Sequence, residues 1–228
     1  MSVSMRVMSA GDGYKYLLRT VAAADGDRPL CTPLTRYYAE AGTPPGRWLG
    51  SGLPAVADGR IAAGSRVSEA QLELLLGMGR DPGTGAALGR AYPEYSAIES
   101  SPNGASPMVP TGPSPLRRRA VAGYDFTFSL PKSASVLWAI ADADTQAKIA
   151  AAHHRAIDDV LAFMERELAT TRAGEAGRSG AVAQVEVTGL IAAAFDHFDS
   201  RAGDPQLHTH VVVSNKVRTV FDLSLIHI

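Results

Sequence analysis

Apolar residues occupy every second position near the start of the chain, at Val3, Met5 and Val7, and a period of two predicts a short strand with one buried face. The pattern then lengthens. Tyr14 and Tyr16 precede Leu17, Leu18 and Val21 at helical spacing, and Asp25-Gly26-Asp27-Arg28-Pro29 breaks the run. Ser68-Glu69-Ala70-Gln71 has the spacing of a capping box, so a short helix carrying Leu72, Leu74, Leu75 and Leu76 is expected to end at Gly77 and Gly79. In Gly123-Tyr124-Asp125-Phe126-Thr127-Phe128 the aromatic residues share one face of a strand and Asp125 and Thr127 the other. A helix through Trp138 and Ile140 should follow Pro131. A longer one should begin near Asp144, with Ile149, Ala152, Ala156, Val160 and Phe163 on its apolar stripe, widened by Ile157, Leu161 and Met164. His153 and His154 lie on that helix and are read as surface residues. The last third is strand-rich, around Val182, Val185 and Val187, then 190–195, then 210–213.

Strands flank helices without regular β-α alternation. This predicts an α+β fold in which a central antiparallel sheet has helices packed on one or both sides. Glycine, proline and serine accumulate from 80 to 116 without apolar periodicity, and that segment is expected to be a flexible loop.

Composition narrows the class. The 228 residues suffice for one domain with a sizeable core, and no apolar run approaches the roughly 18 residues needed to span a bilayer. A single cysteine, Cys31, excludes an intramolecular disulfide, and no basic n-region precedes an apolar stretch at the N-terminus. The expected location is the cytoplasm. A formal net charge of −1 leaves any nucleic-acid contact to local basic groups such as Arg117-Arg118-Arg119, or to a bound cation.

The densest chemistry lies in Asp-Pro-Gln-Leu-His-Thr-His, from Asp204 to His210, preceded by His197. Side chains two apart on a strand point the same way, so His208 and His210 project together, and a turn over 199–205 brings His197 alongside. Neutral imidazoles are the commonest transition-metal ligands, and three of them leave positions open for substrate or water. Zinc hydrolases also use three histidines, so the spacing does not by itself select one reaction.

Tyr16 after Ser9-Ala10-Gly11, the segment Gly-Tyr-Asp-Phe-Thr-Phe-Ser-Leu-Pro-Lys-Ser at 123–133, and the Asp204 to His210 motif together resemble the MobF (TrwC-like) conjugative relaxases of the HUH endonuclease superfamily. The resemblance runs to about Asn215. It implies a relaxase domain over 1–220 whose family pattern continues further, with 221–228 an atypical tail of assembly or cloning origin. It also implies metal-dependent, site- and strand-specific nicking of single-stranded DNA at a plasmid transfer origin, through a covalent 5′-phosphotyrosine. Tyr16 would be the nucleophile, with Tyr14 the alternative, and Tyr37 and Tyr38 would serve a second transesterification. His197, His208 and His210 would hold a divalent ion, Mg²⁺ or Mn²⁺ in use, with Zn²⁺, Ni²⁺ or Cu²⁺ also suited to three nitrogens. Asp125 would orient a histidine or take the tyrosine proton. Relaxosome, coupling and secretion proteins are the implied partners. A non-catalytic DNA-binding remnant and an unrelated three-histidine hydrolase are the competing readings.

Overall fold

The strand at Val121–Ser129 lies directly against the one at Pro205–Ser214, with Asp125 opposite Val212 and Thr127 opposite His210. These two form the centre of the sheet. The computed structural model describes residues 1–18, 44–90, 92–93, 119–167, 170–173, 183–200, 202–218 and 225–227. In chain order they form β1 (Ser2–Ser9), a 3-10 turn (Asp12–Tyr14) leading into α1 (Lys15–Leu18), β2 (Arg47–Leu49), and α2 (Glu69–Leu72), which continues as a π-helical segment (Glu73–Met78). Then come β3 (Val121–Ser129), α3 (Lys132–Ile140), α4 (Ala143–Glu167), β4 (Thr170–Ala173), β5 (Ala183–Glu186), β6 (Ala192–Asp199), β7 (Pro205–Ser214), β8 (Lys216–Arg218) and β9 (Leu225–His227). Five strands in the order β1-β3-β7-β6-β2, every neighbour antiparallel, make the main sheet. β4 pairs with β5 and β8 with β9. The α+β reading is therefore correct.

Helices cover both faces. On one, here the front, Met8, Trp48, Ala193, Phe195 and Val212 pack with Tyr14, Leu17, Leu72, Leu75 and Leu76 from the N-terminal turn and α2. The capping box is formed as expected: Ser68 accepts from the Gln71 amide, and the Gln71 side chain accepts from the Ser68 amide. Gly79 ends the segment in the left-handed region at φ 67°, a conformation that costs glycine little. On the back face Phe128, Ala192, Ala194, Val211 and Val213 receive Ile157 and Leu161 of α4.

Two expectations need correction. Val3, Met5 and Val7 do alternate along β1, but they are about half exposed, and Met8 is the buried residue of the strand. β1 is an edge strand, and α4 packs over the strands beyond it, so its apolar phase faces outward. His153 is buried, not a surface residue; it stands one and two turns before Ile157 and Leu161 and bonds Thr209 through Nε2 at 2.9 Å. The start of the expected 80–116 loop is a hydrogen-bonded turn. There Asp81 accepts from the amides of Ala57, Gly83 and Thr84, and Arg80 bridges to Ala87. The segment 94–118 lies outside the described residues, as do Tyr37 and Tyr38. In the expected tail, 225–227 pairs with β8.

Burial pushes the His153 ring down to about 4, with His154, Arg47 and His208 acting in the same direction and Asp196 against it. The unfolded chain takes up a proton on this residue near pH 6.5 that the folded chain refuses until about pH 4. Its contribution to stability is thus complete above about pH 6.5 and declines as pH falls toward 4. His197 and His208, also depressed by burial, add to the same trend. Urea unfolding followed from pH 7 to pH 4.5 should show stability falling with acidity, and His153→Gln should flatten part of that slope. Equal slopes in the two proteins would contradict the burial account.

Candidate active site and metal centre

Cross-strand pairing assembles the site. In β6 and β7, His197 lies opposite His208, and His210 lies opposite Phe195 and, on its other side, Thr127 of β3. Residues directly opposite in antiparallel strands share a face, so His197, His208, His210, Asp125 and Thr127 all project to the front. Their ring centres stand 5.1 Å apart for His197 and His208, 5.0 Å for His197 and His210, and 5.4 Å for His208 and His210. Three imidazoles bound tetrahedrally to one ion at about 2.0–2.1 Å would have ring centres about 5 Å apart. Among the described residues no group of three or more His, Cys, Asp or Glu side chains is closed into ion-holding geometry, so the rings converge without being drawn onto an ion.

The nitrogen inventory fits a cation. His208 donates Nδ1–H to the carbonyl of Gln206 at 2.8 Å, and His210 donates Nδ1–H to Asp125 at 2.9 Å, with Thr127 Oγ1 at 3.2 Å. Each leaves Nε2 as the lone-pair nitrogen. His197 Nε2 is buried with no hydrogen-bond partner. Burial, then the neighbouring His210 and His208, push His197 down to about 4; burial, only partly offset by the Gln206 carbonyl, also lowers His208. Both rings are neutral near pH 7, the form that binds metals.

Asp125 connects the histidines to a tyrosine. Its carboxylate is 3% exposed; it accepts the Tyr16 hydroxyl on Oδ2 and the Nδ1–H of His210 on the same group. The Tyr16 and His210 rings meet edge to face at 6.1 Å. Burial first, then the hydrogen bond and charge of Asp125, raise Tyr16 far above the ordinary phenol range, while Arg6, 5.8 Å from the ring centre, acts the other way. Tyr14 is placed elsewhere. Its ring is buried in the front-face core and lines a cavity of about 530 Å³ with Asp12, Glu73, Arg80 and Tyr92.

Sequence reasoning missed Arg6, Gln206 and Thr127 as parts of this site. Arg6 was findable: it lies on β1 in the phase opposite Val3, Met5 and Val7, and β1 sets it opposite Asp125. Gln206 acts through a backbone carbonyl, which its residue type does not reveal.

An antiparallel sheet with helices on both faces, presenting three histidines and a carboxylate on one face and meeting a tyrosine of α1 at that carboxylate, is an α+β fold. Residues 10–222 match the TrwC relaxase family, and the chain belongs to it. Over 94 residues, 41% of this chain, it is 46% identical to the multifunctional conjugation protein TraI of Escherichia coli and 44% identical to that of strain K12. The match spans 5% of the length of those relatives. Among solved structures, the metal-bound conjugative relaxase TrwC in complex with oriT DNA shares the fold at a TM-score of 0.64 and 23% identity. Its copper-bound counterpart has a TM-score of 0.62 at 25% identity. Both comparisons cover 99% of this chain and 61% of the solved one.

Replacing Asp125 with Asn removes the charge that helps hold the Tyr16 proton. The Tyr16 titration, taken as the difference in ultraviolet absorbance between each protein and its Tyr16→Phe partner, should therefore shift toward lower pH in Asp125→Asn. An unshifted titration would show that the carboxylate does not hold the phenol.

Proposed function

We propose that this chain nicks and rejoins one strand of DNA at a transfer origin, with Tyr16 as the nucleophile and His197, His208 and His210 as the ligands of a divalent ion. The observation that carries the reading is the continuous contact from the Tyr16 hydroxyl through Asp125 to His210. A phenol near pKa 10 is a poor nucleophile at neutral pH and needs a base, a cation or both. Asp125 accepts the Tyr16 proton as the oxygen attacks phosphorus. The Tyr16 oxygen gains the bond to phosphorus, the bond to the 3′ oxygen breaks, and that oxygen takes up, through solvent, the equivalent of the proton passed to Asp125 and leaves as a 3′ hydroxyl, restoring the carboxylate. The 5′ phosphate stays on Tyr16. One phosphodiester replaces another, so little energy is lost and the same residues support rejoining. Arg6 offsets negative charge as it develops on the Tyr16 phenolic oxygen.

The ion, when bound, would polarise the scissile phosphate and neutralise charge in the transition state. The lone-pair Nε2 nitrogens and the 5.0–5.4 Å ring spacings support these three ligands. The solved relatives described as metal-bound and copper-bound support a divalent cation, with Mg²⁺ or Mn²⁺ the proposed working ion and Zn²⁺ or Ni²⁺ also suited to three nitrogens. Single-stranded oriT DNA is the proposed substrate, as in the DNA complexes of those relatives. Tyr37 and Tyr38 are proposed for a second transesterification, and relaxosome, coupling and secretion proteins as partners. No helix among the described residues is long and apolar enough to cross a membrane, and the cytoplasm is the proposed location.

Incubation with single-stranded DNA carrying the transfer origin and Mg²⁺ or Mn²⁺, followed by denaturing electrophoresis, should yield a covalent protein–DNA adduct. Tyr16→Phe should abolish it, and Asp125→Asn should slow its formation by roughly 10²-fold, the usual contribution of a positioned base. Peptide mapping should place the nucleotide on Tyr16. A nucleotide on Tyr14 would overturn that assignment. Cleavage without an adduct would point to a hydrolase, and binding without cleavage to a non-catalytic DNA-binding remnant.

A further inference from the structure

Directly behind the histidines, on the opposite face of the sheet, stands a partly buried polar cluster that the proposed reaction does not use. Asp196 of β6 and Thr209 of β7 are a directly opposed cross-strand pair. The pairs on either side of it are His197 opposite His208 and Phe195 opposite His210. Thr209 donates its hydroxyl to Asp196 Oδ1 at 2.5 Å, and so accepts the Nε2–H of His153 at 2.9 Å. Asp196 Oδ2 takes Arg47 Nη1 at 2.6 Å and His154 Nε2 at 3.1 Å. One carboxylate thereby ties together the edge strand β2, the helix α4 and the two strands that carry the histidines.

We infer that the Asp196 and Thr209 pair, braced by Arg47, His153 and His154, is a positioning device that fixes the three histidines from behind. The inference rests on the proposed role of those histidines in holding an ion. A one-residue slip of β6 against β7 would turn His197 to the face opposite His208 and His210, so register matters most beside the site. The ladder is weakest there. Register breaks just after His197, where a bulge precedes Asp199, so the His197 and His208 pair has regular pairing on one side only. The polar clamp is the next pair inward.

Packing alone does not call for this chemistry. The neighbouring back-face pair, Ala194 opposite Val211, is apolar and buried. A buried ion pair is commonly no more stabilising than apolar residues of equal volume, whereas its directional bonds do select one arrangement. The five residues are therefore positioning residues; none of them touches the ligand nitrogens.

The test uses Thr209→Val, which keeps shape and loses the hydroxyl, and Thr209→Ser, which keeps the hydroxyl. Mn²⁺ affinity is measured by calorimetric titration well below the unfolding temperature, and amide hydrogen exchange across β6 and β7 is followed in the metal-free proteins. Thr209→Val should bind Mn²⁺ about tenfold more weakly, the low end of the usual loss for residues that support metal ligands, and should exchange faster at 195–197 and 208–210 than the parent. Thr209→Ser should restore both. Parental affinity and exchange in Thr209→Val would overturn the inference, as would a Thr209→Ser protein as impaired as Thr209→Val. If the parent binds no Mn²⁺, the metal reading fails and exchange alone decides the positioning role. Should Thr209→Val not fold, Asp196→Asn takes its place, with weaker Mn²⁺ binding and faster local exchange supporting the inference and parental values overturning it.

Discussion

The pairing of β7 with β6 on one side and β3 on the other decides what each face of the sheet can do. Because side chains alternate, one register sends His197, His208, His210 and Asp125 forward and sends Asp196, Thr209, Val211 and Phe128 back. The front then has two zones. Around Trp48, Phe195 and Val212 it is core, sealed by the N-terminal turn and α2. Toward the Asp199 to Pro205 end of the hairpin the same face becomes polar and carries His197, His208, His210 and Asp125. The back face is held by α4, whose Ile157 and Leu161 pack on the strands while His153 reaches Thr209.

Burial does two kinds of electrostatic work in this arrangement. It lowers His197 and His208, so that neutral imidazoles are available without any neighbouring base to deprotonate them. It also raises Tyr16, reinforced by the Asp125 carboxylate, so that the hydroxyl rests as a phenol. A tyrosine held in this way does not ionise at rest. Its proton has a defined acceptor 109 positions away in sequence, and the nearby Arg6 favours the ionised form. Positive charge arriving with an ion would act in the same direction as Arg6.

Local pattern makes much of this arrangement legible in the sequence. The period of two in His-x-His and in Tyr124, Phe126 and Phe128 gave correct facing, and the Ser68 to Gln71 spacing marked a capping box that the structure contains. What periodicity conveys is which residues share a face; it does not say which face another element covers. That is why Val3, Met5 and Val7 were assigned to the interior when the edge strand turns them outward. His153 was misjudged for a related reason. A histidine inside an apolar stripe looks out of place until Thr209, 56 residues away, supplies its partner. The turn at 80–90 escaped notice because its order comes from one carboxylate, Asp81, collecting backbone amides and not from apolar spacing.

The central claim is that three imidazoles, each through Nε2, hold a single ion beside the Tyr16 hydroxyl. Anomalous diffraction from crystals equilibrated with Mn²⁺, and separately with Cu²⁺, tests it most directly. The account predicts one shared peak bonded to Nε2 of His197, His208 and His210, at about 2.0–2.3 Å, with Asp125 still bridging His210 and Tyr16. A peak held by other residues, or one that leaves His197 outside bonding distance, would contradict it.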